Sequence, residues 1–340
     1  MSCSEAKSDA SSRLHPAVLA LLLGCSTSAP PGAPNVLLVS LDTLRADHLA
    51  SYGYERDTSP TLSRFAAEGA QFEQAYSQTS STDGSHASLF TGLYLSEHGK
   101  FSHRQRLGWR ELTLAEHFDD HGYRTFAIAT SVKFVEQSGF DQGFDDYDRI
   151  QGVTKNKRSA AALELLDERM AQDEEPWMGF LHLFDVHAPY AAPEPWRSKW
   201  QPVSDLVEPE ATSRFIRRNH FNEDKVTPPV QKHLEGLYDG QISYLDQYLA
   251  QLRQTLEAQS QKPGARSTLL VLTSDHGEAF MEHDFLGHGE VLYEETVRVP
   301  LLVWWPGKVP AGRRIDTPTQ GVDVFPTLAE LVGIPLPGDI

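Results

Sequence analysis

"NVLLVSLDT", residues 35–43, decides how this chain is read. Val36 to Val39 are apolar without a break, and the run ends at Asp42. A strand that lacks polar alternation is one buried on both faces, as in a parallel sheet covered by helices. The same pattern recurs in "TFAIAT" (125–130), "WMGFLHLF" (177–184), "STLLVLT" (267–273) and "VPLLVWW" (299–305). Helical periodicity lies between these runs. "SPTLSRFAAEGA" offers Ser59 as a cap, Pro60 at the first turn, Leu62, Phe65 and Ala66 on one face, and Gly69 as a stop. "ELTLAEHFDDHGY" (111–123) and the stretch from His233 to Gln259 repeat that pattern. Strands alternating with helices predict an α/β fold, with a largely parallel central sheet flanked by helices on both faces. Residues 191–230, rich in Pro and charge, are expected to form a long surface excursion, and there is no internal repeat.

Composition narrows the partners. The 340 residues carry 30 basic and 47 acidic side chains, a formal charge of -17. Such a surface repels phosphate backbones, so no nucleic-acid partner is expected. "SRFIRRNH" (213–220), the densest basic stretch, reads as a solvated helix face.

The cysteines, Cys3 and Cys25, precede the folded part, which leaves the body without disulfide or thiol chemistry. Residues 1–34 read as a leader and linker: Lys7 and Arg13, an apolar run from Ala17 to Leu23, then "LLGC" and "STSAPPGAP". The run is shorter than the roughly 20 residues that a membrane span needs and fits a signal-peptide core. "LLGC" resembles a bacterial lipoprotein box, with Cys25 as the lipidated residue. The expectation is an exported protein, periplasmic or membrane-anchored; a Ser-rich disordered tail is the plainer alternative. The catalytic part is expected over 35–340.

Following each strand to its carboxyl end gathers the polar residues. "NVLLVS" runs into Asp42, "STLLVLT" into Asp275 and His276, and "GFLHLF" into Asp185 and His187. Ligands of open α/β sheets bind at that edge. Any one of these residues alone is more simply a cap or turn residue; together they suggest a metal or phosphoryl site. Asp42, Asp275 and His276 offer hard oxygens and an imidazole, suited to Ca, Zn, Mn or Mg. "MEHDFLGHGE" adds His283 and His288. In "SSTDGSHASLFTG" (80–92), Thr82 would precede a helix starting around Ser85, with Gly84 permitting a tight turn. A hydroxyl at a helix N-terminus, beside a cation, is a candidate nucleophile for an anionic ester. The plainer reading is that Thr82 or Ser81 only caps the helix.

"PNVLLVSLDTLRADHLASYGYERDTSPTLSRF" together with "SSTDGSHASLFTG", "LLVLTSDHGEAFMEHDFLGHGEVLYEETVRVPLLVWWPG" and "GVDVFPTLAELVGIPLP" strongly resembles the sulfatase family of the alkaline-phosphatase superfamily. The resemblance runs from Asn35 nearly to the end of the sequence. It implies that Asp42, Thr82, Asp275 and His276 form the metal set, with Thr82 at the catalytic position. His276 stands where typical sulfatases have Asn. His187 matches a substrate-contacting histidine, and His288 takes the place of a substrate-binding lysine. Typical sulfatases carry Cys or Ser, then Pro and Arg, in a frame that here reads Thr82, Gly84 and His86. Their first residue is oxidised to formylglycine. Threonine has a methyl on its β-carbon, so its oxidation gives a ketone and never that aldehyde. Thr43 replaces a frequent second aspartate. The set looks like that of threonine-nucleophile members, such as phosphodiesterases and phosphoglycerol or phosphoethanolamine transferases.

The resulting expectation is a metal-dependent hydrolase of sulfate or phosphate esters working through a covalent threonine intermediate. His187, His288 and His86 would stabilise the ester oxygens or assist the leaving group. Asp185 and His187 would alternatively bind a second ion with His288. A small-molecule, glycan or lipid-headgroup ester is the expected substrate. The alternatives are a transferase or phosphodiesterase on the same site, a non-catalytic binding protein, and a Ser85 esterase that lacks the G-x-S-x-G elbow. The resemblance also implies a small C-terminal subdomain after "GIPLPGDI", where the sequence stops.

Overall fold

The computed structural model describes residues 28–172, 175–200 and 206–338. The leader residues before 28, including Cys25 and its expected lipid anchor, lie outside the described residues.

In chain order the strands are β1 (Asn35–Leu41), β2 (Ala70–Tyr76), β3 (Arg124–Ala129), β4 (Asp146–Arg149), β5 (Trp177–Leu183), β6 (Thr268–Thr273), β7 (Ala279–Phe280), β8 (Leu286–Gly287), β9 (Arg298–Trp304), β10 (Arg313–Ile315) and β11 (Thr319–Gln320). The helices are α1 (Pro60–Glu68), α2 (Thr82–Thr91), α3 (Leu95–His98), α4 (Leu114–Asp120), α5 (Lys155–Met170), α6 (Trp196–Lys199), α7 (Thr212–Arg218), α8 (Pro228–Ser260), α9 (Glu294–Val297) and α10 (Val324–Val332). One sheet runs β10-β2-β9-β6-β1-β5-β3-β4, with β11 also on β2, and β7 with β8 forms a separate hairpin.

Every pairing in the large sheet is parallel except those of β9, which runs against β2 and β6. The expected parallel character holds; the exception is a correction for "VPLLVWW". A strand buried on both faces has the same apolar run in either direction, so the pattern does not report polarity. β2 and β4 escaped the sequence reading because "AQFEQAY" and "DYDR" are too polar for that pattern.

Side-chain alternation along β1 builds the two cores. Leu37, Val39 and Leu41 face α1, α5 and α8, through Leu62, Phe65, Leu166, Leu237 and Leu249. Val36 and Leu38 face α2, α4 and α10, through Phe90, Phe118 and Leu328. Burying each such side chain stabilises the fold by about 1.5–3 kcal/mol, which anchors the central strands on both faces.

The helix starts follow local cap chemistry only in part. Thr113 accepts from the Glu116 N–H at 3.2 Å, while the Glu116 carboxylate accepts from the Thr113 N–H at 2.9 Å, a reciprocal cap for α4. Ser59 makes no such bond for α1. The Asp246 carboxylate on α8 accepts the Thr61 and Leu62 N–H groups instead. The described part of the 191–230 excursion contains α6, a tight turn at Pro209–Ala211, and α7, whose Arg214, Arg217 and Arg218 are exposed as a solvated face requires. Among the described residues no helix is long and apolar enough to cross a membrane.

Candidate active site

Ser40 on β1 is level with Thr273 on β6 and with His182 on β5. The residues that follow therefore emerge together at one sheet edge: Asp42 after β1, Asp275 and His276 after β6, and Asp185 and His187 after β5. α2 brings Thr82 to the same edge, with Thr82 Oγ1 3.3 Å from His276 Nε2.

The carboxylates are buried and only partly satisfied. Asp275 Oδ1 accepts the Thr43 N–H at 3.1 Å and the His276 N–H at 3.0 Å. Asp42 Oδ2 lies 3.0 Å from His182 Nε2. The other oxygens, Asp42 Oδ1 and Asp275 Oδ2, are buried without a hydrogen-bond partner. Burial pushes the Asp42 carboxyl up to about 6, against the pull of His276 and His288. Orphaned carboxylate oxygens in an interior are costly unless a cation meets them. One ligand atom each from Asp42, Asp275 and His276 lie within 4.8 Å of one another. The residues present thus fit a divalent ion.

Hydrogen-bond partners fix the state of each imidazole. A carbonyl only accepts, so His276 Nδ1 donates to the Gly277 carbonyl at 2.9 Å, and Nε2 is the nitrogen turned to Asp275 Oδ2 and Thr82. His187 Nδ1 likewise donates to the Ala188 carbonyl at 2.7 Å, and its ring stacks on Phe184. Burial, with His288 adding to it, holds His187 well below the usual imidazole range. His288 stands 4.4 Å from the His276 ring and 5.1 Å from the His187 ring, centre to centre. Its Nδ1 meets Glu278 Oε1 at 3.0 Å. Burial lowers the His288 pKa, but the Glu278 charge and hydrogen bond outweigh it and carry it up to about 8.

Several residues sit elsewhere than the sequence suggested. α2 begins at Thr82 itself, and neither Ser81 nor Thr82 caps it through a side chain. Gly84 lies inside the helix, not in a turn; a Cβ there would meet Thr79 Cγ2 at 2.9 Å, so close packing explains it. His86 lies beneath the cluster. Its Nδ1 donates to the Thr82 carbonyl at 2.8 Å and its Nε2 accepts from Ser40 Oγ at 2.9 Å, so neither nitrogen is available to a substrate. Ser85 donates to the Asp275 carbonyl at 2.5 Å, a structural use that leaves the esterase reading without its hydroxyl. Asp185 accepts from Ser159 and is not among the ligand-spaced groups of the described residues, and neither are His187 or His288. His283 pairs with Glu295 and stacks on Tyr293. A second ligand-spaced group, His86, His182 and Asp275, shares Asp275 with the first, but the nitrogens of its His86 are already engaged.

Four further side chains support the site beyond those the sequence pattern points to. His182, behind Asp42, was visible as a lone polar residue in an apolar strand. Glu278 stood in "DHGE" without an assigned role. Lys155 Nζ donates to the carbonyls of Asp185, His187 and Pro189 and so ties down the loop that carries His187. Lys100, buried, pairs with Asp83 at 3.1 Å beside the nucleophile position. Nothing in their spacing announces the last two.

Comparison with known proteins finds relatives in both sequence and fold. A model of the family described as Sulfatase matches residues 34–334. An arylsulfatase of Clostridium perfringens is 24% identical over 372 residues, covering 90% of this chain and 76% of that protein. Among solved structures, the phosphonate monoester hydrolase of Agrobacterium radiobacter superposes with a TM-score of 0.73 at 22% identity, covering 89% of this chain and 74% of the other. The soluble domain of lipooligosaccharide phosphoethanolamine transferase A from Neisseria meningitidis gives 0.69 at 19% identity, covering 90% of each chain.

Proposed function

The chain belongs to the sulfatase family, and from that premise we propose that it is a divalent-metal-dependent ester hydrolase with Thr82 as nucleophile and phosphate esters as favoured substrates. One observation carries the reading: the Thr82 hydroxyl lies 3.3 Å from His276 Nε2, at the start of α2, in a site where Asp42 and Asp275 each keep a partnerless oxygen.

Asp42, Asp275, His276 and Thr82 would hold the ion. When bound, it supplies positive charge that lowers the proton affinity of the hydroxyl and draws charge from the ester oxygens. The N–H groups and dipole at the start of α2 attract the anionic ester. Thr82 Oγ1, having lost its proton to water, forms a bond to phosphorus while the bond to the leaving oxygen breaks. His288 Nε2 gives that oxygen a proton. In the second step His187, whose Nε2 carries a lone pair, takes a proton from the incoming water. The water oxygen bonds to phosphorus, Thr82 Oγ1 departs and regains from solvent the proton it lost, and the proton on His187 returns through solvent to His288. Preference for phosphorus follows from the threonine: it cannot become an aldehyde, so its covalent ester is released by attack at the central atom. With an acceptor alcohol in place of water the same steps describe a transferase. Partition of the product between water and added alcohol distinguishes the two.

The test compares an aryl sulfate, an aryl phosphate monoester and an aryl phosphate diester, with Mn or Zn restored after chelation. Thr82→Ala is expected to lose phosphate-ester turnover by at least on the order of 10³-fold, as for other nucleophile deletions. Sulfate turnover that survives in the variant would contradict the reading.

A further inference from the structure

We infer that Glu278 is a positioning residue for the reaction, holding the His288 ring so that Nδ1 is fixed to the protein and Nε2 is left for the leaving group. This rests on the function proposed above.

The carboxylate has no freedom to turn. Glu278 is 1% exposed. Oε1 accepts from His288 Nδ1 at 3.0 Å and Oε2 accepts from the Tyr190 hydroxyl at 2.9 Å. Tyr190 is itself buried, edge-on to Tyr238 at 5.7 Å between ring centres. The Glu278 carbonyl accepts from the Arg45 guanidinium at 2.9 Å. Tyr190, after β5, and His288, after β8, thus hold the side chain, while Arg45, after β1, holds the backbone of the same residue. A carboxylate accepts and cannot donate, so Nδ1 keeps its hydrogen on Glu278, and the hydrogen that the charged ring carries on Nε2 is the one directed at the leaving group. His187 has only the neutral Ala188 carbonyl in that place. Two histidines 5.1 Å apart are in this way given different anchors. Without Glu278 the His288 ring is free to turn and to present either nitrogen.

The test uses Glu278→Ala and Glu278→Gln on aryl phosphates whose leaving groups range from strongly to weakly acidic phenols. Glu278→Ala is expected to lower kcat on the order of 10²-fold for the poorest leaving group and far less for the best, with KM little changed. Glu278→Gln, whose amide oxygen can still accept from Nδ1, should recover most of that loss. Binding of Mn alone, followed by calorimetry, should stay near the wild-type value in both. Should Glu278→Ala fail to fold, Tyr190→Phe, which frees one carboxylate oxygen, should show a smaller loss with the same leaving-group dependence. Equal loss across the series, no loss, or no recovery in Glu278→Gln would overturn the inference. A readout independent of turnover is the ¹⁵N spectrum of the labelled His288 ring. With the ring titrated to its neutral form, hydrogen on Nδ1 in the wild type and a mixture of tautomers in Glu278→Ala support the inference, and identical spectra overturn it. Absence of wild-type ester turnover would instead strike at the proposed function alone.

Discussion

His98 is buried against α2, where its Nε2 meets Ser88 Oγ at 3.0 Å and its Nδ1 accepts the Lys100 N–H at 3.0 Å. Both bonds belong to a neutral ring, and burial pulls its pKa down from 6.5 to about 4. The unfolded chain takes up a proton near 6.5 and the folded chain does not, so this group's contribution is intact above 6.5 and is lost as pH falls towards 4. The loss approaches about 1.4 kcal/mol per pH unit at most. Urea unfolding of the wild type and His98→Gln at several pH values should show the wild-type advantage shrinking between pH 6.5 and 4. A pH-independent difference would contradict this. At the same scale, the residues legible in the sequence were those with chemistry at a strand end: Asp42, Asp275, His276 and His187. Glu278 and Lys155 were not, because their importance lies in which distant atoms they touch. His86 carried a family position, yet its two bonds turn it inward.

Among the elements, α2 is unusual in burying all ten of its residues, including Asp83, His86 and Ser88. It tolerates this because its polar groups find partners: Thr91 Oγ1 on the Ala87 carbonyl, Ser85 on the Asp275 carbonyl, Asp83 on Lys100. The loop after β6 is equally constrained. A Cβ on Gly277 would lie 2.1 Å from the Glu295 carbonyl oxygen, and the Gly277 N–H already donates to Thr296 at 2.8 Å. Gly277→Ala must therefore displace the loop that carries Asp275 and His276. It is expected to cost at least about 1–3 kcal/mol and to weaken Mn binding. Wild-type Mn affinity in that variant would show the loop to be looser than the contact implies. The long apolar strands were readable because burial on both faces leaves a continuous run. The start of α2 was not, since the element begins without a side-chain cap to mark it.

At the scale of the whole molecule, the mostly parallel sheet brings residues from 42 to 288 to one edge, with an apolar layer packed on each face. The assembled acidic site should couple metal to stability. An ion that binds only the folded chain adds about 2.7 kcal/mol at a hundred times its Kd. Thermal melting of the wild type should rise on adding Mn after chelation. Asp42→Asn, which removes a buried charge, should melt no lower than the wild type without metal and should gain little from Mn. An unchanged gain would place the ion away from Asp42.

The proposed chemistry turns on one oxygen, Thr82 Oγ1. The most direct measurement is to stop turnover of an aryl phosphate in acid and read the peptide containing Thr82 by mass spectrometry. A phosphoryl group on Thr82, absent from Thr82→Ala, is the predicted result. Full turnover with no adduct, or an adduct on another residue, would contradict it.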